Sequence, residues 1–74
     1  MSEKEMITYK IVEHIGVVED TGRGWHTELN RISWNGNPPK LDLRSWNEDR
    51  SRMGKGLTLT EEAGQKLREL LNTL

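Results

Sequence analysis

The segment from Lys40 to Trp46 alternates polar and apolar side chains, and its polar set is suited to holding a nucleic acid. Lys40, Arg44 and Trp46 share one parity, so in a strand they lie on the same face of a sheet. Cations at this spacing can follow a sugar-phosphate backbone. An indole beside them can stack on any base, which contributes about 1–3 kcal/mol per base. The structural alternative is an edge strand with solubilising charges and a buried Trp46, and the pattern alone leaves both open.

A second basic segment follows within residues 50–56. Arg52 and Lys55 lie beside Gly54 and Gly56, and glycine allows the backbone to approach a ligand closely. These residues are candidates for contacts with phosphates. The segment lacks the G-x-x-x-x-G-K-[ST] spacing of a P-loop, and a plain hairpin loop is the alternative interpretation.

The aromatic residues outside these segments are few. Trp34 precedes an Asn-Gly turn, where it could form a stacking platform or equally plug the end of a small core. Trp25 is the tryptophan that we assign to the core. His26 and Asn30, on the same predicted strand, are weaker candidates for hydrogen bonds to bases.

Several kinds of chemistry are excluded by composition. The chain has no cysteine and only two histidines, so neither a disulfide nor a zinc site is expected, and no cofactor is indicated. Asp42 with Glu48 or Asp49 resembles a carboxylate pair, but nothing in the sequence places them in a pocket. No nucleophile lies near a general base in any recognisable pattern. We therefore expect no catalytic residues, no metal and no enzymatic activity.

Length and charge distribution suggest a small module with a basic middle. The 74 residues are expected to form one domain, 1–74, with residues 1–5 disordered. The net charge is −1, but residues 23–56 carry seven basic and four acidic side chains. A chain this short usually needs a disulfide, a metal or a partner for stability, which leaves oligomerisation. No signal peptide or membrane span is apparent, so a cytoplasmic location is expected.

The pattern of elements predicts an α+β fold of the order β-β-β-β-α. The predicted strands cover residues 7–19, 25–34, 40–46 and 54–59. The second strand changes its apolar parity, so we predict a bulge near Asn30 and Arg31. Thr60 is a suitable N-cap for a closing helix. One apolar stripe runs along this helix, formed by Ala63, Leu67, Leu70, Leu71 and Leu74.

Two of these segments together resemble a known family. The run from Lys40 to Trp46, then a polar loop, then Gly54 to Thr60 before a helix, is similar to the single-stranded-DNA-binding domain of the transcriptional positive cofactor four family, also called the p15 coactivator family. Its short bacterial members, the YdbC type, are the most similar. The resemblance implies a curved four-stranded antiparallel sheet followed by one C-terminal helix, paired into a homodimer whose sheets hold extended single strands.

The resemblance also implies roles for individual residues. Arg44 matches the strand arginine of the family, Trp46 its aromatic neighbour and Lys55 the lysine of the last strand, while Lys40 and Trp34 match a basic and an aromatic position. With Arg52, His26 and Asn30 added from the pattern, these form the predicted nucleic-acid-binding set.

The implied function is sequence-tolerant binding of single-stranded DNA, near the nucleoid, in support of transcription, replication or repair proteins. Two alternatives remain open. The bound strand could be RNA, or the chain could be a protein-interaction dimer without nucleic-acid binding, which the acidic net charge favours.

Overall fold

The computed structural model describes residues 7–74, so the predicted disorder of residues 1–5 lies outside the described residues. It contains one four-stranded antiparallel sheet in the order β1-β2-β3-β4 and one helix. The elements are β1 (Tyr9–Asp20), β2 (Trp25–Trp34), β3 (Lys40–Asn47), β4 (Met53–Leu59) and α1 (Glu61–Leu71). The predicted order and fold class are therefore confirmed.

Local signals account for the ends of these elements. Asn35 and Gly36 both have positive φ, 51° and 77°, as a tight turn after β2 requires. The Thr60 side chain accepts a hydrogen bond from the Ala63 backbone N–H at 3.0 Å and caps α1, as predicted. Within residues 7–74, no helix has the length and apolar character that crossing a membrane requires.

The pairing register places the irregularities in β1. The β2–β3 ladder runs from Trp25 to Ile32 without a shift, so the bulge predicted near Asn30 and Arg31 is wrong. Instead, β1 has three register shifts against β2, which leave Val12, Ile15 and Val18 without a ladder partner. β2 needs no bulge because both of its faces are covered, so apolar residues of both parities find contacts.

One face of the sheet carries leucines and supports the helix, and we call it the helix-side face. Its leucines come from β2, β3 and β4: Leu29, Leu41, Leu43, Leu57 and Leu59. α1 approaches this face closely at Gly64, where an added Cβ atom would lie 2.2 Å from Leu41 Cδ1. A larger residue here would require Leu41 to change its side-chain conformation, so this glycine, which lowers helix propensity, favours the observed close approach.

The opposite face is strongly curved, and we call it the concave face. Tyr9 pairs with Trp34 in the ladder, and their ring centroids are 5.6 Å apart. The Tyr9 ring also lies 5.7 Å from that of Trp46, although Trp46 pairs with His26 near the far end of β2. Two distant corners of the sheet therefore meet across this face.

The small core lies beneath the concave face rather than beneath the helix. Among the described residues, Ile32 and Trp46 are the fully buried apolar side chains, and both belong to this face. Trp25 is only half-buried and lies on the helix-side face, where its ring lies close to Gly54. The assignment of Trp25 to the core is therefore wrong, because the curled corner covers Trp46 instead.

Candidate nucleic-acid interface

Arg44 lies on the concave face and is held there by several contacts. Its Nε donates to Asp42 Oδ1 at 2.6 Å and its Nη2 donates to Asp42 Oδ2 at 3.0 Å. Thr58 Oγ1 donates a further hydrogen bond to Asp42 Oδ2 at 3.0 Å. The guanidinium carbon of Arg44 lies 5.0 Å from the centroid of the Trp34 ring, within cation–π distance. The guanidinium of Arg44 is thus held by Asp42 along its Nε–Nη2 edge and by the Trp34 ring against its plane.

Gly56, the glycine before Leu57, has a direct role in this arrangement. A Cβ atom at Gly56 would lie 2.0 Å from Arg44 Cβ and 2.5 Å from the Leu43 carbonyl oxygen. β3 therefore occupies the space that a side chain at this position would need, and a close approach of phosphate to the backbone of this segment stays a prediction. The glycine allows β4 to lie close beside β3 at Arg44, its partner in the ladder.

Trp46 shares this face with Arg44, as its parity predicts, but it is completely buried. Of the two interpretations that the sequence left open for Trp46, the structure agrees with the buried one, whereas the stacking role requires an exposed ring. Tyr9 reaches it from β1 and Met53 pairs with it from β4. Its role as a stacking residue stays a prediction, and in this structure Trp46 supports the face from within.

A polar network occupies the centre of the concave face around the fully buried carboxylate of Glu28. Arg50 Nε donates to both of its oxygens at 3.0 and 3.1 Å, and Asn30 Nδ2 donates to Oε1 at 3.0 Å. His26 Nε2 makes a very short contact with Oε2. His14 Nδ1 lies 2.7 Å from Asn30 Oδ1, and because an amide oxygen only accepts, this nitrogen carries the proton.

The network keeps Glu28 ionised. Desolvation by burial raises the pKa of this carboxyl, but hydrogen bonds from Arg50, Asn30 and His26 outweigh it and lower the pKa to about 2. A buried carboxylate is tolerated only with such partners. His26 and Asn30, predicted as base contacts, are therefore brought together here, and both the amide oxygen and the amide nitrogen of Asn30 already have a partner.

Sequence reasoning missed Glu28, Arg50 and Tyr9 as members of this face. Arg50 reaches Glu28 across 22 positions of sequence and has a φ of 59°, which an arginine rarely adopts. No local sequence signal announces that conformation. The parity that Glu28 shares with His26 and Asn30 was the signal available for the carboxylate.

The remaining predicted cations lie outside the network around Glu28, and we call these exposed positions, Lys40, Arg52 and Lys55, the rim of the concave face. Lys40, Arg52 and Lys55 are exposed, and none forms an ion pair within residues 7–74. Lys40 pairs with Ile32 and shares its face, whereas Lys55 lies where the register of β4 shifts. These three cations are available to a polyanion in a way that Arg44 and Arg50 are not.

A cavity of about 430 Å³ opens beside the Trp34–Arg44 pair. Its lining comes from the chain segment before β1, from β1 to β4 and from the turn after β2: Ile7, Tyr9, Trp34, Asn35, Arg44, Met53 and Thr58. Aromatic, apolar and cationic groups thus border one open space. Among the described residues, no group of histidine and carboxylate side chains is arranged to hold a metal ion.

Two comparisons with known proteins bear on this surface. A Treponema pallidum (strain Nichols) protein described only as uncharacterised is 47% identical over 66 residues, covering 89% of this chain and 78% of its own length. The family model of the Transcriptional Coactivator p15 (PC4) matches residues 22–70, which include β2, β3, β4 and nearly all of α1. The family is a non-enzymatic one associated with DNA and transcription. The chain belongs to the p15 (PC4) transcriptional coactivator family.

Proposed function

We propose that the protein binds single-stranded DNA, without strong sequence preference, across the concave face of a homodimer. The observation that carries this proposal is the Trp34–Arg44 pair beside an open cavity, with exposed lysines at the rim. An aromatic surface next to cations is the combination that single strands require. Membership of the p15 (PC4) family, which suggests single-stranded DNA binding, supports the same function.

The proposal gives the described side chains different tasks. Lys40, Lys55 and Arg52 contact phosphates, since they are exposed cations. Trp34 stacks on a base, because its ring borders the cavity. Trp46, His26 and Asn30 hold the shape of the concave face from inside, and they reach a base only if the face opens.

The homodimer is proposed from the other face of the sheet. No residue of α1 is buried, and Leu57, Leu70 and Leu71 are 51%, 58% and 55% exposed. A cavity of about 390 Å³ lies between α1 and the sheet, and five leucines and Ile15 line it together with polar side chains of β2 and α1. Burial of apolar surface stabilises by about 25 cal/mol per Å², so a second copy covering this face would supply what the small core lacks.

The experiment is a titration with oligo-dT and with matched duplex, followed by tryptophan fluorescence at two salt concentrations. We expect quenching, preference for the single strand, and a fall in log K with log salt of about 0.7 for each phosphate contacted. Absence of binding at low salt would overturn the proposal and favour the protein-interaction dimer.

The same titration with oligo-U distinguishes DNA from RNA. Stacking and phosphate contacts do not depend on the sugar, and only groups that contact the 2′-hydroxyl would distinguish the two. Tighter binding of oligo-U than of oligo-dT would make RNA the natural ligand. We propose a role beside transcription, replication or repair proteins at the nucleoid only if DNA is the natural ligand, so tighter binding of RNA would contradict that role too.

A further inference from the structure

We propose that Asp42 is a positioning residue that turns Arg44 into a flat stacking surface for a base, so that Arg44 is not one of the phosphate ligands. The inference rests on the proposed function and assigns a ligand group to one corner of the concave face. It is carried by three geometric observations: how Asp42 holds Arg44, where the guanidinium lies, and which space it borders.

Asp42 is itself firmly held. Its side chain is fully buried, and it accepts hydrogen bonds from Thr58 Oγ1 and from two nitrogens of Arg44. Two parallel hydrogen bonds between a guanidinium and a carboxylate fix both the position and the plane of the guanidinium. Arg44 Nη1 also lies 3.4 Å from the Gly54 carbonyl oxygen, which restrains the third nitrogen.

This pairing uses the edge of Arg44 that a phosphate would need. A phosphate is best recognised by two guanidinium nitrogens at once, and Nε and Nη2 already donate to Asp42. The negative charge of Asp42 also offsets the positive charge of Arg44. The pair therefore adds little to the attraction of a polyanion, in contrast to the exposed Lys40 and Lys55.

The flat surface of the guanidinium remains useful. Arg44 lies over the Trp34 ring, and both side chains border the 430 Å³ cavity. Bases stack on aromatic rings and on guanidinium planes, and this interaction does not depend on base identity. Both side chains of the Trp34–Arg44 pair thus border the space that an unstacked base would enter.

The two possible roles of Arg44 predict opposite signs for Asp42→Asn. If Arg44 bound phosphate, removing the neighbouring negative charge would strengthen DNA binding and steepen its salt dependence. If Asp42 positions Arg44 for stacking, the same substitution weakens binding, although the protein becomes less acidic. Arg44→Lys separates the roles again, because it keeps the charge and removes the plane.

The experiment compares oligo-dT with an abasic strand of the same length, which keeps every phosphate and removes the bases. Wild-type protein, Arg44→Lys, Asp42→Asn and the exposed-acid control Glu48→Gln are titrated at two salt concentrations. Circular dichroism melts identify the variants that remain folded. We expect Arg44→Lys to bind oligo-dT about tenfold more weakly than wild type and to bind the abasic strand equally well, with an unchanged salt slope.

We also expect folded Asp42→Asn to bind oligo-dT more weakly and Glu48→Gln to bind it as well as wild type or slightly better. Equal weakening of oligo-dT and abasic binding by Arg44→Lys, or tighter binding by Asp42→Asn, would overturn this inference alone. If wild-type protein bound neither strand, the proposed function would fail as well. Should Asp42→Asn not fold, the abasic comparison with Arg44→Lys decides the question.

Discussion

The helix-side face and the concave face are built from the same strands, yet one presents leucines and the other presents carboxylates, arginines and tryptophans. Four of these leucines are half-buried and Leu57 is 51% exposed, beside a helix that buries none of its residues. On the concave face, Glu28, Asn30 and Asp42 are fully buried and hydrogen-bonded. Every fully buried side chain of the described residues thus lies on the concave face, and most of these side chains are polar.

The two faces differ in what stabilises them. A buried carboxylate is stable only with its partners, and the concave face supplies them from within the chain: Arg50 for Glu28 and Arg44 for Asp42. Exposed leucines need cover from outside the described chain. The concave face therefore satisfies its own carboxylates, although the buried indole N–H groups of Trp34 and Trp46 have no partner among the described residues. The helix-side face is where we propose a second copy.

The largest expected effect is the loss of the carboxylate beneath the concave face. Glu28→Ala leaves Arg50, His26 and Asn30 without their acceptor, and removing one partner of a buried pair costs about 3–5 kcal/mol. Urea unfolding at fixed protein concentration measures it. The matched control is Glu48→Ala, an exposed acid on the β3–β4 loop, for which we expect almost no change. A cost below about 1 kcal/mol for Glu28→Ala would mean that the network does not hold the face together.

The acid dependence of stability isolates the same group. Because the folded-state pKa of Glu28 is lowered from 4.5 to about 2, its contribution is complete above pH 4.5 and is lost as the pH falls toward 2. The loss amounts to about 3 kcal/mol. Glu28→Gln cannot titrate, so unfolding free energies measured from pH 6 to pH 2 should fall more steeply for wild type than for this variant. Parallel curves would contradict the assignment.

The helix-side face is tested by adding a charge to it. Leu70→Asp would bury a carboxylate in the proposed dimer interface. We expect the dissociation constant of the dimer to rise roughly 100-fold, equivalent to about 3 kcal/mol. Sedimentation equilibrium measures the constant. Lys66→Glu, on an exposed part of the same helix, should leave it unchanged. A wild-type protein that is monomeric at high concentration would remove the second copy from this account.

The smallest effects concern the cations at the rim of the concave face. Lys40→Gln and Lys55→Gln should each reduce the salt slope of oligo-dT binding by about 0.7, because each removes one phosphate contact. Lys66→Gln on the helix should leave the slope unchanged. If all three substitutions lowered the slope equally, DNA would be attracted by overall charge rather than by the concave face.

Much of the fold could be predicted because its signals are local. Turn residues, the Thr60 cap and the alternation of Lys40 to Trp46 are encoded within a few positions, and each was predicted correctly. The placement of Lys40, Arg44 and Trp46 on one face was also correct. The burial of Trp46 was not predictable from parity, since it depends on the curvature that brings Tyr9 from the opposite corner.

The polar network was missed for a similar reason. Arg50 reaches Glu28 from a loop, in which Arg50 itself has a left-handed backbone conformation. Nothing local in the sequence requires an arginine to adopt this conformation. The bulges of β1 were also placed on the wrong strand, because an apolar parity change in β2 suits a strand covered on both faces equally well. Long-range geometry decided each of these points.

The most direct test follows the three tryptophan side chains during a titration. Trp34 and Trp46 belong to the concave face and Trp25 to the helix-side face, so their indole N–H signals in an ¹H–¹⁵N spectrum report on the two faces separately. On addition of oligo-dT, we predict that the Trp34 signal shifts most, the Trp46 signal shifts less and the Trp25 signal stays in place. A shift confined to Trp25, or none at all at low salt, would contradict the assignment of the concave face to single-stranded DNA.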